Sequence, residues 1–115
     1  MSTVGAERVA VIGGGLMGTG VAQVFAAAGH AVVLQDLSPE ALERAPGAIA
    51  SNLTYLAENG LYPAAGVADA VGRVRTTSDV LDAAAGADLV VECVFEDLAL
   101  KQGVFEQLGA ACPPR

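Results

Sequence analysis

The stretch VAVIGGGLMGTG (residues 9–20) places five glycines among twelve residues, directly after a run of small and β-branched apolar side chains. Glycine is roughly 0.5–1 kcal/mol less favourable than alanine inside regular secondary structure, so such a cluster marks a place where the backbone must be bare. RVAVI, just before and into it, has the composition of a short strand buried on both faces. After the glycines, Met17, Val21, Val24 and Ala28 fall at i, i+4, i+7 and i+11 and predict the buried face of a helix. Gly29 is placed to end that helix in a left-handed conformation.

Working outward, AVVLQ (residues 31–35) reads as a second buried strand that ends at Asp36. Ser38 is positioned to cap the next helix, with Pro39 at its first position and Glu40 in its first turn. Leu42, Ala45, Ile49, Leu53 and Leu56 keep helical spacing. Pro46 and Gly47 interrupt the pattern, and a proline inside a helix costs about 3 kcal/mol or more, so a kink is expected there. Residues 58–66 read as a connection and RVRTT (residues 73–77) as a third strand, with Ser78 capping a short helix through Ala85. ADLVVECVF (residues 87–95) is the most apolar strand. EDLALKQGVFEQLGAA (residues 96–111) predicts a last helix that buries Leu98, Val104, Phe105 and Leu108. Strands alternating with helices predict a parallel α/β sheet with right-handed crossovers.

Composition narrows the function. The 115 residues are 53% hydrophobic, which excludes disorder, and carry a net charge of −7 with six basic residues. That balance speaks against a nucleic-acid or anionic-membrane surface. A phosphate remains possible, because oriented amides hold anions against the global charge. Cys93 and Cys112 make neither a disulfide framework nor a metal site, and point to reduced thiols in a cytoplasm. MSTVGAER lacks a basic start and an apolar core, so no signal peptide is expected. Gln23, His30, Gln35 and Asp36 interrupt the apolar stretch and rule out a clean membrane span.

Gly13-x-Gly15-x-x-Gly18 sits between a predicted strand and a predicted helix, the context that a dinucleotide fingerprint requires. Gly13 would make the tight turn, Gly15 would admit a pyrophosphate close to the backbone, and Gly18 would let helix and strand approach. A glycine-rich packing turn is the plain alternative. Asp36 lies 23 positions after Gly13, near the spacing of about 20 residues for an acid that holds a ribose 2′-hydroxyl. A carboxylate there accepts from hydroxyls and repels a 2′-phosphate, and no arginine follows before Arg44, so NAD is favoured over NADP.

These residues carry a family resemblance. VAVIGGGLMGTGVAQVFAAAGHAVVLQDLSPEAL (residues 9–42) resembles the start of the 3-hydroxyacyl-CoA dehydrogenases, G-x-G-x-M-G-x-G-[IV]-A followed by G-H-x-V-x-[LV]-x-D. DLVVECVFEDLALKQGVFEQL (residues 88–108) resembles their second signature, DLV[IV]E-x-[VI]-x-E-[ND]-L-x-[LV]-K. The likeness runs over essentially the whole chain, and the second signature is the more specific. It implies a Rossmann-type sheet of order 3-2-1-4 with helices on both faces, over residues 1–115. That unit would stop before the later strands and the helical C-terminal domain. Gly13, Gly15, Leu16, Met17, Gly18 and Asp36 would line the adenosine and pyrophosphate end of NAD, and Glu96 and Lys101 would contact the cofactor near its nicotinamide half.

Where relatives place a Ser and a Lys against the acyl-CoA, this chain has Asn52 and Asn59, and Asn59 brings no positive charge to a CoA phosphate. The resemblance also implies that no catalytic residue lies in this chain, because the family's catalytic His and its partner Glu follow a Ser-Asn-Thr-Ser strand beyond Arg115. His30, the only histidine, is expected to be a surface turn residue. The implied activity is oxidation of a 3-hydroxyacyl-CoA to the 3-oxoacyl-CoA with hydride passing to NAD, in fatty acid metabolism, by a homodimeric whole protein. The 115 residues alone would be a monomer or a dimer paired through the apolar edge of the fourth strand. Two other readings stay open: a stand-alone NAD-binding module without turnover, and an NADP-dependent β-hydroxyacid dehydrogenase.

Overall fold

In the computed structural model the described residues are 7–13 and 15–93. Four strands, β1 (Arg8–Ile12), β2 (Ala31–Gln35), β3 (Val74–Thr77) and β4 (Leu89–Glu92), form one sheet of order β3-β2-β1-β4. Every pairing is parallel, with Val9 opposite Val32 and Leu89, and Val32 opposite Val74. The sheet order is the predicted one. Residues 94–111, which hold the end of the fourth predicted strand and the last predicted helix, lie outside the described residues.

Alternation along the strands divides the core into two layers. Val9, Val11, Val32 and Leu34 face α1 (Gly15–Ala27), α2 (Pro39–Glu58) and α3 (Val67–Gly72). Ala10 and Ile12 face the other way, onto Ala83 and Ala84 of α4 (Val80–Ala84) and onto Ala87. The chain runs from β1 out to β3 under one layer of helices, then returns to β4 across the opposite face. The direction of winding therefore reverses between β1 and β4, and the carboxyl ends of the strands open a crevice there.

Helix α1 corrects the sequence reading. Its buried residues are Gly18, Thr19, Ala22 and Ala26, whereas Met17 and Val24 are 68% and 65% exposed. Apolar periodicity pointed to the larger side chains. The face that packs is the one with the smallest side chains, because a bare backbone brings the helix axis nearest the sheet.

Helix α2 follows its prediction closely. Ser38 caps it, accepting from Ala41 N–H at 3.2 Å, and Pro39 opens it. Ala45, Ile49 and Leu53 are buried, with Leu42 and Leu56 packed beside them. Burying Ile49 and Leu53 stabilises the layer by about 1.5–3 kcal/mol each. The helix continues without a break through Pro46 and Gly47.

Two features escaped the sequence. A 3-10 turn (Ala64–Gly66) closes the predicted connection, and the short α3 follows it. The cap of α4 is Asp79 and not Ser78: its carboxylate accepts from Leu81 N–H at 2.9 Å.

Candidate functional site

The glycine turn joins the end of β1 to the start of α1. Gly13 and Gly15 have φ of 71° and 52°, a region that side chains disfavour. A Cβ on Gly15 would meet no atom within 4 Å, so this glycine faces open space. Gly18 differs. A Cβ there would run into the carbonyl oxygen of Gly13 and lie 3.5 Å from Leu34 Cδ1. Gly18 lets the first turn of α1 settle against the turn that precedes it. Thr19, buried beside it, donates its hydroxyl to the Gly15 carbonyl at 3.0 Å.

Asp36 stands just past the end of β2 and is tied to this turn. Its Oδ2 accepts from Gly15 N–H at 3.0 Å and its Oδ1 from Ser38 N–H at 2.9 Å. Two backbone donors from different elements thus fix the carboxylate, with Leu37 beside it 73% exposed. Gly13 N–H donates to the Gln35 carbonyl at 2.6 Å, which fastens the turn to the end of the same strand. Leu16 and Met17, 89% and 68% exposed, project from the first turn of α1. Helix geometry gives the first N–H groups of that turn no intrahelical acceptor, and the helix dipole makes the spot attractive to anions.

The structure therefore gathers Gly13, Gly15, Leu16, Met17, Gly18 and Asp36 at the carboxyl edge of the sheet. Glu96 and Lys101 lie outside the described residues. Asn52 sits elsewhere, on α2, where its amide donates to Gln23 Oε1 of α1 at 2.9 Å. The two residues line an open groove of about 470 Å³ together with Ser51, Tyr55 and Leu56. Asn59 caps the end of α2, its amide donating to the Tyr55 carbonyl at 2.8 Å.

His30 lies at the other end of β2. Its Nδ1 accepts from Glu7 N–H at 3.0 Å, and its ring meets Phe25 edge-on at 5.9 Å. It is a half-buried fastener for the chain entering β1, where the sequence suggested a plain surface residue. Cys93, just past β4, carries a free thiol. Burial first, and then the Glu92 carboxylate, push that thiol up from its ordinary value, so it is a poor nucleophile at neutral pH. Among the described residues no group of His, Cys, Asp and Glu is arranged to hold a metal ion. No described helix is long and apolar enough to cross a membrane.

Sequence reasoning missed Gln35 and Thr19, the two buried polar residues of the described core. Both brace the turn or the strand end beside it. The signal was available: each is a polar side chain in an otherwise apolar buried segment, where it needs a partner.

The arrangement fits a dinucleotide on structural grounds: a cradle that a Cβ at Gly15 would enter, donors at a helix start, and a fixed carboxylate next to both. The model of the family described as 3-hydroxyacyl-CoA dehydrogenase, NAD binding domain, matches residues 8–115. The chain is 41% identical over 109 residues to the 3-hydroxyadipyl-CoA dehydrogenase of Escherichia coli, covering 95% of this chain and 23% of that protein. It is 42% identical over 103 residues to the 5-formyl-3-hydroxy-2-methylpyridine 4-carboxylate 5-dehydrogenase of Mesorhizobium japonicum, covering 89% of this chain and 32% of that protein. The crystal structure of an E. coli 3-hydroxybutyryl-CoA dehydrogenase superposes with a TM-score of 0.86 at 40% identity, over 95% of this chain and 23% of that one. The chain thus spans about a quarter to a third of the length of these relatives.

Proposed function

This chain belongs to the NAD-binding domain family of the 3-hydroxyacyl-CoA dehydrogenases, and from that premise we propose that it is the cofactor-holding part of an enzyme that oxidises a 3-hydroxyacyl-CoA to the 3-oxoacyl-CoA. NAD is the family's cofactor. The observation that carries the reading is the bond from Gly15 N–H to the Asp36 carboxylate, which makes one unit of the glycine turn and the acid.

Each residue then has a part. Asp36 accepts from the adenosine ribose hydroxyls and rejects a 2′-phosphate. Gly15 leaves room for the pyrophosphate, and the N–H groups at Leu16 and Met17 face it. Gly13 and Gly18 hold the turn in shape. Glu96 and Lys101 contact the nicotinamide half, a role supported by their match to the family's second signature. Asn52 and Asn59 are weaker candidates for acyl-CoA contact. Bound NAD supplies the hydride acceptor; this chain binds and orients it. The catalytic base belongs to a part of the whole protein that these 115 residues do not include, a view supported by the share of each relative that the chain spans. Residues 1–115 are then an NAD-binding unit that continues into further strands and a helical domain in a homodimeric enzyme of fatty acid metabolism. A reducing compartment, the cytoplasm, is supported by the two cysteines of the sequence, too few for a disulfide framework.

The test is calorimetric titration with NAD and NADP, on the chain and on its Asp36→Ala variant. The chain is expected to bind NAD more tightly than NADP. The variant should lose about 10- to 100-fold in NAD affinity, the scale of a hydrogen bond to a charged group, with NADP much less affected. A preference for NADP, or indifference to the loss of Asp36, would refute the reading.

A further inference from the structure

Gln35 is 3% exposed at the end of β2, in register with Ile12 and Thr77. Its backbone carbonyl accepts from Gly13 N–H at 2.6 Å, and its side-chain amide donates to the Ser78 carbonyl at 3.0 Å. The next residue is held as well: Asp36 N–H donates to the Thr77 carbonyl at 3.2 Å, and its carboxylate receives Gly15 N–H. The turn leaving β3, the end of β2 and the glycine turn are therefore linked in series through residues 35 and 36. A buried amide is costly to leave unpaired, so this side chain has one well-defined arrangement.

We infer that Gln35 is a positioning residue for the cofactor site: its amide, anchored on Ser78, fixes the end of β2 so that the Asp36 carboxylate meets Gly15 N–H and the cofactor ribose together. The inference rests on the NAD reading above for its effect on binding, but not for its effect on Asp36. Gln35 touches no reacting group. It acts through Asp36, and so on the ribose and not on the rest of the cofactor.

Gln35→Met keeps the length of the side chain and removes the donor. In the 115-residue chain it should weaken NAD about 3- to 10-fold, the scale of one net hydrogen bond, and NADP by less than about twofold. The NAD to NADP ratio narrows while the binding stoichiometry holds. Amide exchange followed by NMR without cofactor should show the Gly15 proton exchanging about 3- to 10-fold faster in the variant, with the helix α2 amides unchanged. If Gln35→Met does not fold, Gln35→Val, a side chain suited to a strand, makes the same test. Unchanged NAD affinity, or equal weakening of both cofactors with faster exchange throughout the chain, would overturn the inference. If the unsubstituted chain binds no NAD, the cofactor reading fails by itself, and Gly15 exchange still decides whether Gln35 positions Asp36.

Discussion

Gly15 and Gly18 are three residues apart and should fail in different ways when given a side chain. Around Gly15 a Cβ meets nothing, but φ is +52°, so an alanine there costs about 1–2 kcal/mol of backbone strain. Its methyl group points into the space proposed for the pyrophosphate. Around Gly18 the obstacle is the backbone oxygen of Gly13, which cannot rotate away. Gly15→Ala should therefore stay folded and lose at least about tenfold in NAD affinity. Gly18→Ala should lose stability first, by about 1–3 kcal/mol or more, as overpacking does. Thermal unfolding followed by circular dichroism, beside calorimetry, separates the two, and the reverse pattern would mean that Gly15 is only a packing glycine. The different tasks of these glycines were legible in the sequence, because fingerprint spacing encodes them. The bond between Gly15 and Asp36 was not. It joins residues 21 positions apart, and only the pairing of β1 with β2 brings them together.

At the scale of elements, helix α2 carries an avoidable cost. Pro46 lies inside it, where it removes a donor to the Leu42 carbonyl and crowds that oxygen, yet the helix continues to Glu58. Tertiary packing overrides the local penalty: Ala45 and Ile49, on either side of the interruption, are buried against the sheet. Pro46→Ala should stabilise the chain by about 1–3 kcal/mol, a rise in midpoint of several degrees. An unchanged midpoint would mean that the helix has already accommodated the ring. The sequence identified this helix well because its inward residues are large and regularly spaced. It failed on the inward face of α1 for the opposite reason, since that face is written in glycine and alanine and apolar periodicity is blind to it. Helix α3 also escaped, with one fully buried residue, Ala70, to announce it. The cap of α4 moved by one residue because Ser78 and Asp79 are equally good capping types, and only the backbone decides between them.

At the scale of the molecule, the sheet separates the histidine from the proposed cofactor site. Gly13, Gly15 and Asp36 gather at the carboxyl ends of β1 and β2, whereas His30 precedes β2 and is fastened to Glu7 and Phe25. The five residues of β2 separate His30 from Asp36, and the six steps of extended chain from one to the other span about 20 Å. A general base must come within about 2.6–3.2 Å of its proton, or act through one water. His30 therefore cannot serve the crevice from its place in this fold, and no other histidine occurs in the 115 residues. General acid–base help is worth about 10²–10⁴-fold in rate. Holding the reactants in line contributes about 7–11 kcal/mol more. On the reading proposed above, in which the base belongs to another part of the whole protein, the chain that binds NAD should turn over nothing. Purified residues 1–115 are expected to bind NAD by calorimetry and to form no NADH detectable by absorbance with 3-hydroxybutyryl-CoA. His30→Ala should leave NAD affinity unchanged and lower the unfolding midpoint, because its bond to Glu7 N–H and its contact with Phe25 are lost. Formation of NADH by the 115-residue chain, abolished in His30→Ala, would show that the base lies within it after all and that the sheet does not keep the two ends apart.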